Sequence, residues 1–268
     1  MDGRNKKFIT ELLKKAATRR SSGLYVVEGP KMAGELDPKD AENVYVTKSF
    51  LSSEHAGECG ALLRSVSYEV IQDSEMKQIS DTVTPQGILV VARQRKVKGI
   101  RAITEQTDNP LLLILETIQD PGNLGTIISM AEAAGISGII VNRETVDIYS
   151  PKVVRSTMGA LLRLPIVTVD DQVKAAEGLR NGNYTEGRPV RIYAARLDGA
   201  VDYASVDYRE PTAIMIGNEA HGLSDELSKQ ADSNIIIPMC GTTESLNAAV
   251  AASVISFEAA RQRRLGVL

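Results

Sequence analysis

The stretch LLLILETIQDPGNLGTIISMAEAAGISGIIV, residues 111–141, decides the fold. A strand from Leu111 to Glu116, apolar without a break to Leu115, leads into a polar turn holding Asp120, Pro121 and Gly122. A helical pattern then covers Asn123 to Ala134, and a second apolar run covers Gly138 to Val141. Strands that are apolar at every position are covered on both faces, and a strand–helix–strand unit sets its two strands parallel. The rhythm continues downstream: a helix from Pro151, a strand from Ile166 to Val169, a helix from Asp171, and strands from Arg191 to Ala195 and from Ala213 to Gly217. A helix from Ser224 to Ala231, a strand from Ile235 to Pro238 and a long closing helix from about Ser245 complete it. The expectation is an α/β fold with a mostly parallel sheet, whose ligands sit beyond the carboxyl ends of the strands.

Upstream of this pattern lies a smaller α/β unit. Phe8, Ile9, Leu12, Leu13 and Ala16 recur at helical spacing, and strands are expected at 24–27, 44–46, 68–71 and 87–92. The polar, aperiodic segment RQRKVKGIRAITEQTDN places a boundary near residues 100–108, giving domains 1–105 and 106–268.

Composition removes several functional classes. Apolar residues at 43% and charged residues at 24% exclude a disordered or fibrous chain. The apolar runs fall far short of the roughly 20 residues that a membrane-spanning helix needs, and the opening MDGRNKKFITELLKK has no secretory hydrophobic core. Two distant cysteines, Cys59 and Cys240, make no disulfide framework, so a cytoplasmic location is expected. His55 beside Cys59 lacks a second pair of ligands, so no metal site is expected. Net charge is −3, but it is uneven: residues 1–107 carry 17 basic against 14 acidic side chains, and the first 20 residues carry seven basic ones. A basic N-terminal helix attracts phosphates, and a plain solvated helix face has the same composition.

Three loops at strand ends could carry chemistry. DPGNLGTIIS (120–129) opens a helix whose N-terminal N–H groups could hold an anion. It lacks both the G-x-G-x-x-G and the Gly-Lys-Ser/Thr spacing of common nucleotide sites, and by themselves Gly122 and Gly125 are ordinary turn and packing glycines. IMIGNEAHGLS (214–224) puts Glu219 just past a strand-end glycine, where a carboxylate taken alone is more often a helix or turn cap than a catalytic group. IIIPMCGTTESLNAAVAASVISFEAARQRR (235–264) runs a strand into a loop of small and hydroxyl residues and then an alanine-rich helix. Dense packing explains the alanines but not ESLN.

Together NLGTII, GNEAHGL and IPMCGTTESLNAAVAASVISFEAARQR resemble the three motifs of SpoU/TrmH-type RNA 2′-O-ribose methyltransferases of the SPOUT superfamily. VDIYSPKVVRSTMGALLRLPI (146–166) is similar to the family's segment between motifs one and two, and RRSSGLYVVEGPKMAGEL resembles the L30e-like RNA-binding domain that many members carry in front. The resemblance implies a deep C-terminal trefoil knot, a homodimer formed through the knotted domain, and S-adenosylmethionine as cofactor, with no metal. By position it implies a cofactor pocket at Gly217, Ile237, Pro238, Met239 and Leu246, and an active site of Asn123, Glu219, Ser245 and Asn247. RNA, ribosomal more than transfer RNA, is the implied partner, with Arg19, Arg20, Lys31 and Arg155 as contacts.

One position departs from the pattern. Motif one of the family reads N-x-G-x-x-x-R, and here Asn123 and Gly125 are followed by Ser129 where the arginine is expected. An arginine is a poor base and suits phosphate or oxyanion binding, which serine cannot do as a charge. Either Arg143, Arg155 or Arg163 takes its place, or the chain is an RNA-binding homologue with weak or no methyl transfer, or Ser129 is an engineered or recorded substitution. A nucleotide-binding α/β enzyme unrelated to methylation is the outlying alternative.

Overall fold

The computed structural model describes residues 1–243 and 245–266; Glu244 of the ESLN stretch and residues 267–268 lie outside the described residues. Two compact units are present: Met1–Arg95 with Asp147–Leu162, and Lys96–Val146 with the chain from Arg163 onward.

In the first unit, β1 (Leu24–Glu28), β2 (Ala41–Thr47), β3 (Tyr68–Ile71) and β4 (Ile88–Arg93) form a sheet in the order β1-β4-β2-β3. β4 runs antiparallel to β1 and β2, and β2 runs parallel to β3. The basic helix Gly3–Lys14 starts at Asp2, whose carboxylate accepts the Asn5 N–H at 2.7 Å. Its apolar stripe buries Ile9 and Leu12 against Val26, Tyr45, Leu89 and Val91, which leaves Lys7 and Lys14 in solvent. Gly23, at φ 68°, ends the helix Ala16–Ser22 in the left-handed conformation that glycine adopts without a steric penalty and turns the chain into β1.

Residues 147–162 belong to this unit although they follow β-strands of the other in sequence. Arg19 explains part of the attachment. Its Nε donates to Asp147 at 2.7 Å, its Nη1 donates to the carbonyl oxygens of Leu12 and Leu13, and the residue is 4% exposed. Tyr149 packs against Tyr25 with ring centroids 4.8 Å apart. The expectation that Arg19 contacts RNA is therefore corrected: the residue is buried and its Nε and Nη1 are taken up by Asp147 and two carbonyl oxygens, because a buried charge must be paired where it lies.

In the second unit, β5 (Leu111–Leu115), β6 (Gly138–Val141), β7 (Ile166–Thr168), β8 (Arg191–Ala195), β9 (Val201–Asp202), β10 (Thr212–Ile216) and β11 (Ser233–Ile236) form one sheet, in the order β7-β6-β5-β10-β8-β11-β9. Every pair in it is parallel. β5 is buried along its whole length, as its unbroken apolar sequence requires. Leu112, Ile114, Ile140, Ile192 and Met215 pack on Ala175, Ala176 and Leu179 of the helix Gln172–Arg180. On the other side the closing helix Ala248–Leu265 packs against the helix Pro121–Ala133 and buries Ala248, Ala249, Ala252, Ile255 and Ala259.

Differences from the sequence reading are local. The closing helix begins at Ala248, not near Ser245, because the Asn247 side chain accepts the N–H groups of Ala249 and Val250 and caps it. β11 stops at Ile236, so Ile237 to Met239 are irregular chain beyond the sheet. The helix expected at Ser224–Ala231 is the single turn Asp225–Ser228. The two-residue β9 is too short to leave a periodic signal. Arg263, near the end of the closing helix, donates to the carbonyl oxygens of Tyr208, Asn109, Pro110 and Glu210, and burial lowers its pKa to about 10.

Candidate active site

β5 and β10 lie at the centre of the sheet in register, Ile216 beside Leu115, so the chain leaving each strand emerges next to the other. Binding sites of open parallel sheets form where neighbouring strands send their loops apart. Here the loop after β5 enters the helix Pro121–Ala133, and the loop after β10 carries Glu219.

The DPGN turn does not hold an anion through its first N–H groups. The Asp120 carboxylate already accepts the Asn123 N–H at 2.8 Å, with Pro121 at the first helical position, so the N-terminus is capped by the chain itself. The Asn123 side chain faces elsewhere: its Nδ2 donates to Glu219 Oε1 at 2.8 Å, and its Oδ1 accepts from Asn247 Nδ2 at 3.0 Å. Three residues 96 and 124 positions apart thus form one hydrogen-bonded row, with a single carboxylate at its end.

Beside the row lies a cavity of about 430 Å³, walled by Ile216, Gly217, Ile235, Ile237, Met239 and Leu246, with Ser245 and Glu219 on it. Gly217 shapes this wall, since a Cβ there would meet the Gly222 carbonyl carbon at 2.2 Å and the Leu223 nitrogen at 2.3 Å. The close approach is fixed by two main-chain bonds between Asn218 and Gly222, of 3.0 and 2.9 Å. Arg196 also borders the cavity, but its guanidinium binds Asp225 at 2.7 Å and Asp198 at 3.1 Å, and these carboxylates raise its pKa. The charge of Arg196 is taken up within the rim. With Asp198 taken up by Arg196, Glu219 is the carboxylate on the cavity without an ion pair among the described residues, and beside Ile216, Ile235, Ile237 and Leu246 it suits a cationic ligand with a flat apolar part.

The family model described as SpoU rRNA Methylase matches residues 110–257, and the MRM3-like substrate binding domain matches residues 5–90. The chain belongs to the SpoU rRNA methylase family. Among SpoU relatives, the 23S rRNA (guanosine(2553)-2′-O)-methyltransferase RlmP of Bacillus subtilis is 27% identical over 244 residues, 89% of each chain. Human mitochondrial rRNA methyltransferase 3 is 31% identical over 305 residues, covering 96% of this chain and 72% of that protein. The structure of the SpoU methyltransferase AviRb from Streptomyces viridochromogenes in complex with AdoMet superposes with a TM-score of 0.86 at 27% identity, over 99% of this chain and 100% of that one.

Within the SpoU frame, the residues expected from sequence divide cleanly. Asn123, Glu219 and Asn247 are brought together; Gly217, Ile237, Met239, Leu246 and Ser245 line the cavity. Pro238 is exposed and is not part of the lining. In the first unit, Arg20 and Lys31 are exposed, and exposed Arg155 donates to Asp81 at 2.7 Å. Sequence reasoning missed Asn218 and the β8 end, Arg196 to Asp198, both on the cavity. The strand-end rule applied to β8 points to the latter.

Ser129, at the SpoU motif-one arginine position, is half-buried on the helix Pro121–Ala133. Of the three candidate replacements, Arg143 pairs with Asp170, and Arg155 pairs with Asp81 in the first unit. Arg163 donates to Glu132 at 2.8 Å, on the same helix one turn after Ser129.

Proposed function

We propose that the protein transfers a methyl group from S-adenosylmethionine to a ribose 2′-hydroxyl of ribosomal RNA. The observation that carries this reading is the row Glu219–Asn123–Asn247 beside a cavity whose lining fits the cofactor. The fit rests on the chemistry of that lining. Ile216, Ile237 and Leu246 supply an apolar slot for adenine, and the chain of residues 237–239, past the last paired residue of β11, supplies main-chain hydrogen-bonding groups. Glu219 complements positive charge, and Gly217 keeps the wall thin. When bound, the cofactor supplies an electrophilic methyl group on a sulfonium.

The chain's own residues orient the ribose. Asn123 and Asn247 have no proton to give up near neutral pH, so their amides fix positions, while the Glu219 carboxylate is the ionisable end of the row and accepts the hydroxyl proton as the oxygen bonds to carbon. Alignment of this kind supplies most of the rate of an in-line displacement. The names of the relatives support ribosomal RNA as substrate. RNA contacts are assigned to Arg20, Lys31 and Arg155 of the first unit, with the boundary between substrate-binding and catalytic domains near residue 105.

Two further features belong to this reading. A second copy of the chain covers the outer face of the closing helix, where Val250 is 46% and Phe257 47% exposed, seven residues apart on one face. The trefoil knot is proposed from the family match over residues 110–257. A cytoplasmic location is proposed from the two separate free cysteines; among the described residues no helix is long and apolar enough to cross a membrane, and no cluster of metal-ligating side chains occurs.

The test is transfer of tritium from labelled S-adenosylmethionine to ribosomal RNA, followed by mapping of ribose methylation. Label on a 2′-oxygen is expected. Binding of RNA and cofactor without any transfer would instead favour the reading in which Ser129 has silenced the site.

A further inference from the structure

Thr117, the second residue after β5, has φ 57°. A β-branched residue rarely adopts this left-handed conformation, and such residues persist only where their surroundings over-determine them. Two asparagines do so here. Asn142, at the end of β6, accepts the Thr117 N–H on its Oδ1 at 3.0 Å and donates from Nδ2 to Thr117 Oγ1 at 2.7 Å. The same Oδ1 also accepts the Thr145 N–H and hydroxyl, at 3.1 and 2.7 Å, which locks the amide orientation. Asn218, at the end of β10, donates from Nδ2 to the Thr117 carbonyl oxygen at 2.8 Å, while its Oδ1 accepts the N–H groups of Ala220 and His221.

These bonds close a ring. The segment from Thr117 to Asn123 is tied at its start to Asn218 and at its end to Glu219, two adjacent residues of the other loop. Changing the backbone at Thr117 therefore changes how Asn123 meets Glu219.

Resting on the methyl-transfer reading above, we propose that Asn142 and Thr117 are positioning residues: the Asn142–Thr117–Asn218 clamp sets the register between Asn123 and Glu219. Asn142 does not line the cavity, and of its bonds those to Thr117 are the ones that reach the loop carrying Asn123. A displacement of about 1 Å at reacting groups lowers rates by roughly 100-fold.

The test uses the full chain and two readouts. In the first, Asn142→Ala lowers kcat for RNA methylation by 10- to 100-fold, with the Kd for S-adenosylmethionine and the KM for RNA within twofold of wild type. Adding Thr117→Gly restores most of kcat, because glycine takes the left-handed conformation without help. Thr117→Gly and Thr117→Val, each alone, both remove the Oγ1 contact but differ in backbone preference; the valine variant loses at least about fivefold more kcat than the glycine variant. This pair decides the matter even if Asn142→Ala does not fold. In the second readout, amide hydrogen exchange in residues 117–124 and 219–222 speeds up together in Asn142→Ala and in Thr117→Val, and not in Thr117→Gly. Equal kcat for the glycine and valine variants, or exchange unchanged in both, overturns the clamp. A wild-type chain that transfers no methyl to any RNA defeats the methyl-transfer reading, and the exchange experiment still decides the clamp.

Discussion

Replacing Gly217 by alanine should open the cofactor cavity from its wall. The added Cβ would lie 2.2 Å from the Gly222 carbonyl carbon, 2.3 Å from the Leu223 nitrogen and 2.4 Å from the Gly222 oxygen. Non-bonded carbon contacts settle near 3.5 Å, so the two backbone segments must part by about 1.3 Å. All three obstructing atoms are main chain, so no side chain can swing aside to absorb the change. The Asn218–Gly222 pair of bonds, 3.0 and 2.9 Å long, would then stretch past about 4 Å, beyond hydrogen-bonding range. Two neutral bonds contribute about 2 kcal/mol together to the folded state, and the parted wall no longer fits what the cavity holds. The expected result by calorimetry is a Kd for S-adenosylmethionine raised 10- to 100-fold, with a loss of about 1–3 kcal/mol in unfolding free energy from overpacking. Gly241→Ala is the control, since nothing lies within 4 Å of a Cβ there. Cofactor affinity in Gly217→Ala within twofold of wild type would refute the assignment of this wall to the cofactor.

Four other outcomes are expected. Glu219→Gln retains an acceptor for Asn123 but removes the only carboxylate of the row, so single-turnover transfer at saturating cofactor should slow about 100-fold or more; an unaltered rate would remove Glu219 from proton handling. Ser129→Arg should raise the transfer rate at least about tenfold, by the scale on which oxyanion donors act; equal rates would mean that another group, Arg163 being the one bonded to that helix, already fills the role. Arg263→Met strips donors from the carbonyl oxygens of Tyr208, Asn109, Pro110 and Glu210 and should cost about 3 kcal/mol or more in urea unfolding; a change under about 0.5 kcal/mol would contradict its anchoring part. Replacing exposed Lys7 and Lys14 by glutamine should reduce the slope of log affinity against log salt for single-stranded RNA by about 1.4, if both meet phosphates, and an unchanged slope would place the RNA elsewhere.

Much of this molecule is legible in its sequence because burial on both faces leaves a periodic imprint. Leu111 to Leu115 and Gly138 to Val141 are apolar at every position, and both are strands buried along their length. Helix caps are legible for a similar local reason: Asp120 with Pro121 marks a helix start by chemistry that acts within four residues. The motif resemblance located Asn123, Glu219 and Asn247 individually.

What the tertiary structure alone decided is which of these residues meet, and which charges are available to a ligand. Asn123 bonds Glu219 because β5 and β10, distant in sequence, are neighbours in register, and no local rule carries that pairing. Arg19 and Arg20 read alike in the sequence, yet one is buried on Asp147 and the other is exposed. Thr117 shows no sign in sequence of a left-handed backbone, because that conformation is imposed by Asn142 and Asn218 from two other strand ends. Side-chain patterning reports the environment of a residue along its own chain; the partner across the sheet is set by how the strands are ordered, and that order is a property of the whole core.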